Sequence, residues 1–423
     1  MNKTYKQSIV TCVDDMEPDV LSVEQARQNI LAAIKPIEDE EKLALRSALM
    51  RTLAEDLHSR FNVPNQTNSA VDGYALMGTD LHASDRPELE VVGTVHAGAT
   101  FKGTCASGQC IRIMTGAPMP VGTDTVVMQE YVQKLQDGRI RIEQKPGIGQ
   151  NVRQAGEDIS IGSVVLETGH QITPADLGII ASMGTGEVRV RRRPRVAFFS
   201  TGNELRSIGE PLEEGQIYDS NRYSLYGMLT RLGVDVIDLG VVRDDPLALK
   251  ATLDKAARIS DVIITSGGVS VGEADYIKPV LQEMGKMDFW KISMKPGRPL
   301  SFGHIGETCF FGLPGNPVAV MVTFYQFVQP AIQYIASGRI PVRHSLFAEA
   351  TSPIRKKPGR YEFVRGALTQ NESGLFQVHN LGKQGSGILT SMSQANCFIL
   401  LPEESGNIEP GDMVMVQPFD HFI

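Results

Sequence analysis

Apolar runs and amphipathic stretches alternate along the chain from Arg195 onward. "RVAFFS", "VDVIDLG", "DVIITS" and "TCFFGL" read as strands. "NRYSLYGMLTRLG", "PLALKATLDKAARIS", "DYIKPVLQEMG" and the long apolar segment from Asn316 read as the helices between and after them. Such alternation predicts a parallel sheet covered on both faces. The preceding chain has a different texture. Residues 22–58 look helical and then mixed, and Ser22 and Gln25 are spaced for a capping box. Residues 59–149 break into short β runs, "ELEVVGTVHAG", "CIRIMTG", "DTVVMQEYV" and "RIRIEQK", with Asp137-Gly138 marking a hairpin. Residues 150–190 return to mixed structure, with Pro174 opening a helix that closes on Gly184. After about Gly338 the pattern is β again, which suits a small antiparallel barrel or sandwich.

The expected fold is therefore multi-domain α/β and β. A central doubly wound α/β domain with a parallel-rich sheet covers residues 192–338. A β-rich domain at 59–149 is inserted in a split mixed domain, 16–58 plus 150–191, and a small C-terminal β-barrel or sandwich covers 339–423. Composition narrows the class. The 423 residues are 42% hydrophobic and 21% charged, enough for several cores. A net charge of −8 argues against a general nucleic-acid or membrane-surface binder. The oiliest segment, "NPVAVMVTFYQFVQPAIQYIASG", contains Gln326, Gln329, Pro330 and Gln333, so it reads as a buried helix rather than a membrane span. The N-terminal stretch has no apolar run long enough for a signal peptide. Five scattered cysteines without zinc-site spacing fit a reducing cytoplasm. The basic run "RVRRRPR" at 189–195 reads as a solvated linker into the first strand of the α/β domain.

In a parallel α/β sheet the loops after the strands emerge along one edge, and ligands bind there. That rule gathers "STGNEL", "RDDP", "TSGGVSVGEAD" and "LPGNP". Gly202, Gly267, Gly268 and Gly315 let backbone approach a ligand, and the helices beginning near Asp275 and Asn316 point N–H groups at the same edge, as phosphate requires. The plainer reading is that these glycines only turn the chain. Neither GxxxxGK[ST] nor GxGxxG is present. Glu204, Asp244, Asp245, Glu273 and Asp275 lie in or beside the loops, and carboxylates next to a phosphate imply a divalent cation between them. Asp275 is equally suited to cap the helix after it. In "WKISMKPGRPLSF", Lys291, Ser293 and Lys295 alternate as if on one side of a strand, with Arg298 after a turn. These cations suit a phosphate or another oxyanion, or protect an edge strand. No nucleophile constellation stands out.

"STGNEL", "RDDP", "SGGVSVGEADY", "KPGRP" and "GLPGNPV" occur in that order, with "SAVDGYA", "RIMTGAP" and "RQAGEDI" upstream. Together they resemble the molybdopterin molybdenumtransferase family, MoeA, whose eukaryotic relative is the gephyrin E domain. The resemblance spans the chain after about residue 16, and the upstream motifs separate it from pterin-adenylating and CinA-like domains on the same scaffold. It implies an enzyme of molybdenum cofactor biosynthesis that inserts molybdenum from molybdate into adenylylated molybdopterin, with Mg2+-dependent release of AMP. It also implies a cytoplasmic, elongated homodimer with its site at the subunit interface. A molybdopterin adenylyltransferase and other proteins of the cofactor pathway are the implied partners. Carried over residue by residue, the catalytic positions are Asp72, Thr115, Asp158, Glu204, Lys291 and Lys295. The substrate-binding positions are Arg153, Thr201, Gly202, Ser266, Gly267, Gly268, Ser270, Arg298, Pro314, Gly315, Asn316, Pro317 and Ser386, and Asp244 and Asp275 are the magnesium ligands. Some relatives have Asp at position 203 and Lys at position 298, where this chain has Asn203 and Arg298; the second change turns a point cation into a planar fork. Two other functions fit parts of this pattern: hydrolysis of a nucleotide anhydride, and a non-catalytic scaffold.

Overall fold

A computed structural model describes residues 20–267 and 277–419. The chain forms two compact units, one built from Glu40–Val190 and the other from the residues up to Asp39 and from Arg191 onward. In the second unit a seven-stranded sheet has the order Val20–Leu21, Lys286–Ile292, Pro299–Ile305, Thr308–Leu313, Val262–Ser266, Arg195–Thr201, Asp235–Val242. Its pairings are parallel except the two made by Pro299–Ile305, which runs antiparallel to both neighbours. Successive residues of the strand Arg195–Thr201 are buried on opposite faces. Val196 and Phe198 pack with Leu225, Leu229, Phe311 and Val320, whereas Ala197 and Phe199 pack with Leu249, Leu253, Leu281 and Phe310. Burial on both faces is why these strands read as unbroken apolar runs.

The helix Val23–Ala33, which the sequence pattern groups with residues 150–191, sends Val23, Ala26 and Ile30 into this same core. Its capping box is present, with Ser22 Oγ accepting from the Gln25 amide at 3.1 Å and Gln25 Oε1 accepting from the Ser22 amide at 2.9 Å. The long apolar helix is Pro317–Thr323 and Gln329–Ser337 joined by a π turn, Phe324–Val328. In that turn the buried Gln326 donates to Gln417 Oε1 at 3.0 Å and accepts from Arg27 through its carbonyl at 3.3 Å. The Gln326 side chain also accepts from Arg27 through Oε1, so this one residue ties the N-terminal helix to the last strand.

The C-terminal strands Tyr361–Gln370, Phe376–Asn380, Leu346–Ala350, Met413–Pro418 and Cys397–Leu401 pair in that order, and Cys397–Leu401 returns to Tyr361–Gln370 to close a five-stranded barrel. The pairing of Leu346–Ala350 with Phe376–Asn380 is parallel, so the barrel is not wholly antiparallel. Val364, Ile399 and Val416 fill its interior, while Phe363 and Phe398 pack outward onto the α/β core.

The unit Glu40–Val190 holds a six-stranded sheet ordered Thr125–Met128, Gly73–Leu76, Gln109–Ile113, Glu88–Val95, Arg139–Ile142, Val132–Lys134. The Asp137-Gly138 hairpin joins the last two strands, and Gly138 takes the left-handed φ of +84° that its turn requires. A smaller body surrounds the helix Pro174–Ser182, which Thr173 caps, with Leu53, Ile172, Ile180 and Val190 as its core. The basic run 189–195 leads into Arg195–Thr201 as expected, but it is more than solvated linker. Arg189 pairs with Glu40 and Glu55, and Arg192 pairs with Asp39 and Asp261, whose carboxylates the sequence pattern does not place beside it. Among the described residues no helix is long and apolar enough to cross a membrane.

Candidate active site

The site begins where the parallel strands stop. Thr201, Val242, Ser266 and Leu313 end adjacent strands, and the register places Ser200 beside Ser266, Ser266 beside Leu313 and Thr201 beside Val242. The loops that follow are therefore neighbours. The Gly267 amide donates to the Leu313 carbonyl at 3.1 Å. Gly267 has φ +93°, and a Cβ there would lie 2.5 Å from the Thr201 carbonyl oxygen. Asn221, buried in the first turn of the helix Ser220–Arg231, donates from one amide nitrogen to Ser266 Oγ at 3.0 Å and to the Gly315 carbonyl at 2.7 Å. That side chain joins two of the glycine loops. Asp244 comes back over the sheet, and the Thr201 hydroxyl donates to its Oδ1. Its neighbour Asp245 instead caps the helix Pro246–Ile259, accepting from the Ala248 amide at 2.8 Å. Gly202 has φ +156°, and the Glu204 carboxylate folds over it, 2.7 Å from where a Cβ would stand.

The cations reach the same edge by a different route. The stretch 290–302 is not one strand. Lys291 is the next-to-last residue of the strand Lys286–Ile292 of the α/β sheet, whereas Lys295 belongs to Met294–Lys295, which pairs with the barrel strand Tyr361–Gln370. Ser293 is the crossing point: its amide donates to the Leu21 carbonyl at 2.8 Å, and its own carbonyl accepts from Tyr361 at 2.9 Å. Exposure still alternates, with Lys291 and Lys295 outward and Ile292 and Met294 buried, so the period of two survives the change of sheet. Because Lys291 stands opposite Pro299 and Ser301 opposite Gly312, Lys291 and Arg298 lie at the end of the sheet that carries the Pro314 loop. From Lys286–Ile292 to Arg195–Thr201 there are four strand-to-strand steps, roughly 19 Å at ordinary strand spacing. A single small anion does not span that distance; an elongated ligand does.

Two further features close the rim. Gly297, φ +97°, rests on the long helix, 2.7 Å from Thr323 Cγ2 and 3.7 Å from the Ala319 carbonyl measured from its absent Cβ position. The Ser386 carbonyl accepts from the Val318 amide at 3.0 Å, so the loop "KQGSG" sits on the first turn of the helix that Asn316 and Pro317 open. Arg365 shapes that loop and is not among the residues the sequence motifs single out. It is buried in the barrel wall and donates to the Gly385 carbonyl at 3.0 Å, the Lys383 carbonyl at 3.3 Å and Ser391 Oγ at 3.0 Å. Burial pulls its guanidinium down to about 10. The only sequence signal for it is an arginine within an otherwise apolar run, "FVRGAL".

In the unit Glu40–Val190 a second group of expected residues gathers. Both the amide and the hydroxyl of Thr115 donate to Asp72 Oδ1, at 2.8 and 2.7 Å. These bonds hold the Asp72 carboxyl below the usual aspartate range, so it is charged throughout neutral pH. Arg153 lies across the ladder from Asn68, which also bridges to Pro118. Asn68–Ser69, Val152–Arg153 and the Thr115–Pro118 segment thus run side by side. Asp158 is exposed on a turn anchored by its amide to the Val63 carbonyl at 3.1 Å. Gly268, Ser270, Glu273 and Asp275 lie outside the described residues. Among the described residues no group of three or more His, Cys, Asp or Glu is placed to hold a metal ion.

Comparison with known proteins covers most of the chain. The family description "MoeA N-terminal region (domain I and II)" matches residues 21–184, "Probable molybdopterin binding domain" matches 197–334, and "MoeA C-terminal region (domain IV)" matches 348–419. A molybdopterin molybdenumtransferase from Haemophilus influenzae is 43% identical over 405 residues, covering 96% of this chain and all of that protein. One from a Nostoc species is 38% identical over 401 residues, covering 92% of this chain and 91% of the other. The crystal structure of the molybdopterin biosynthesis moeA protein from Pyrococcus horikoshii superposes with a TM-score of 0.83 at 31% identity, covering 95% of this chain and all of that one. With identity of this order along nearly its full length, the chain belongs to the MoeA family of molybdopterin molybdenumtransferases, enzymes of molybdenum cofactor biosynthesis.

Proposed function

We propose that the protein inserts molybdenum from molybdate into adenylylated molybdopterin and releases AMP in a Mg2+-dependent step. The observation that supports this most is the meeting of the Thr201, Asp244, Gly267 and Gly315 loops at one end of the sheet, with Lys291, Arg298 and the Ser386 loop beside them. Such a rim suits a long ligand with phosphates over the glycines and an oxyanion at the lysine end. Lys291, Lys295 and Arg298 neutralise phosphate or molybdate charge, and Glu204 and Asp158 orient substrate or carry a proton. The Ser266, Gly267 and Pro314–Pro317 backbone cradles the phosphates. Cleavage of a phosphoanhydride needs mainly charge neutralisation and alignment, which this set supplies without a covalent nucleophile.

Mg2+ takes hard oxygen donors and needs only one or two protein carboxylates beside phosphate oxygens and water. Asp244, its Oδ1 already steadied by Thr201, fits that requirement, and Asp275 would supply the second carboxylate. When bound, the ion offsets phosphate charge. The same proposal includes the four-part domain division given above, except that the segment up to Asp39 goes with the α/β core, and a homodimer in which Asp72, Thr115 and Arg153 serve a site at the subunit interface. A molybdopterin adenylyltransferase would deliver the substrate, in a reducing cytoplasm that suits the buried, unbridged Cys105, Cys110, Cys309 and Cys397. The test is to mix purified protein with adenylylated molybdopterin, molybdate and Mg2+ and to follow AMP and metallated cofactor together. Both products should appear, and chelation of Mg2+ should suppress both. AMP release from plain dinucleotides at the same rate, without pterin, would instead indicate an anhydride hydrolase.

A further inference from the structure

Lys295 has a carboxylate waiting for it. The parallel pairing of Met294–Lys295 with Tyr361–Gln370 sets Lys295 directly across from Glu362, and Lys295 Nζ lies 3.3 Å from Glu362 Oε2. The two ends of this pair are unequal. The Lys295 side chain is 57% exposed, and the Glu362 side chain only 12%. Glu362 is also fixed by its backbone, because its strand is hydrogen-bonded on the other side to Leu401. The acid is held in the barrel wall, and the lysine reaches it from the solvent side. At 3.3 Å the bond is longer than the roughly 2.7–2.9 Å of a tight ammonium–carboxylate bond, so it is loose enough to be exchanged.

A second lysine lies in the same electrostatic neighbourhood. Lys356 is buried, and its ammonium donates to the carbonyls of Ser405, Lys357 and Glu403 at 3.2, 3.3 and 3.4 Å. Burial holds it below the ordinary lysine range; the Glu362 carboxylate opposes that shift and the Lys295 ammonium adds to it. Lys356 is held by those three carbonyls, and Lys295 is the lysine placed at ion-pair distance from Glu362.

We propose that Glu362 is a positioning residue that parks the Lys295 ammonium at the rim and yields it to an incoming tetrahedral oxyanion. The inference rests on the reading that Lys295 binds anion. Phosphate of the substrate and molybdate share the chemistry that would claim the lysine. In either case the carboxylate competes with the anion and so sets how tightly Lys295 holds it.

The test is a binding cycle on the full chain, by equilibrium dialysis with molybdate in one arm and inorganic phosphate in the other. Glu362→Gln removes the competitor and keeps its shape. Affinity for at least one of the two anions should rise about fivefold, the equivalent of a modest ion pair, and the arm that responds identifies the anion. In a Lys295→Ala background the same change should have no effect. A merely structural role predicts the opposite sign, because a damaged rim binds less. Glu362→Asp, which keeps the charge on a shorter stem, should restore near-native affinity, and it serves as the test should the glutamine variant not fold. Unchanged or weaker binding of both anions by Glu362→Gln, or loss of affinity in Glu362→Asp, overturns the proposal. If Lys295→Ala alone binds both anions normally, the reading beneath it fails as well.

Discussion

Lys295→Ala should lower turnover about 100- to 1000-fold, the loss usual for removing one charged stabiliser of a developing anion. The fold should hardly notice. The lysine side chain is more than half exposed, its ion pair with Glu362 is loose, and a pair open to solvent at the lysine end contributes about 0.2–1 kcal/mol. A steady-state assay beside a thermal melt separates the two effects. Lys295→Arg should not restore the rate, since a planar fork replaces a compact ammonium opposite Glu362. Turnover within threefold of the parent enzyme, with Lys295 absent, would remove the cation from the chemistry and favour a scaffold.

Gly267→Ala acts on the same rim from the backbone side. At φ +93° any side chain is strained, and the new methyl carbon would sit 2.5 Å from the Thr201 carbonyl oxygen. That oxygen cannot step aside, because Thr201 is held in register with Val242 at the end of its strand. The loop must move instead, which breaks the Gly267–Leu313 hydrogen bond and disturbs Gly315, whose missing Cβ position is 3.9 Å from Gly267 Cα. The expected cost is about 2–4 kcal/mol in urea unfolding, with activity lost beyond what stability explains. An unchanged midpoint and rate would mean the glycine only turns the chain.

The parts of this fold that were legible beforehand share a cause. "RVAFFS" and "DVIITS" betray themselves as strands because both faces of the sheet are covered, so successive positions in the middle of each are apolar. The Ser22, Pro174 and Gly138 signals are local, and the backbone around each decided them. The convergence of the four loops followed from topology, since parallel strands end on one side. What was missed is set by distant partners. The strand Gly73–Leu76 overlaps the end of "SAVDGYA", a motif too short to show a period, and is defined by Ile113 and Met128 across its two ladders. The split of 290–302 depends on Leu21 and Tyr361 competing for the two sides of Ser293. Arg365 has meaning only through carbonyls near residue 385, and nothing in its own neighbourhood announces them.

Diffraction from crystals soaked in molybdate and AMP, recorded at the molybdenum absorption edge, would test the rim most directly. The anomalous peak should lie within about 3–4 Å of the Lys291, Lys295 or Arg298 side-chain nitrogens, with the AMP phosphate over Gly267 and Gly315. A molybdenum peak and nucleotide density away from the strand ends, with those loops unaltered, would contradict it.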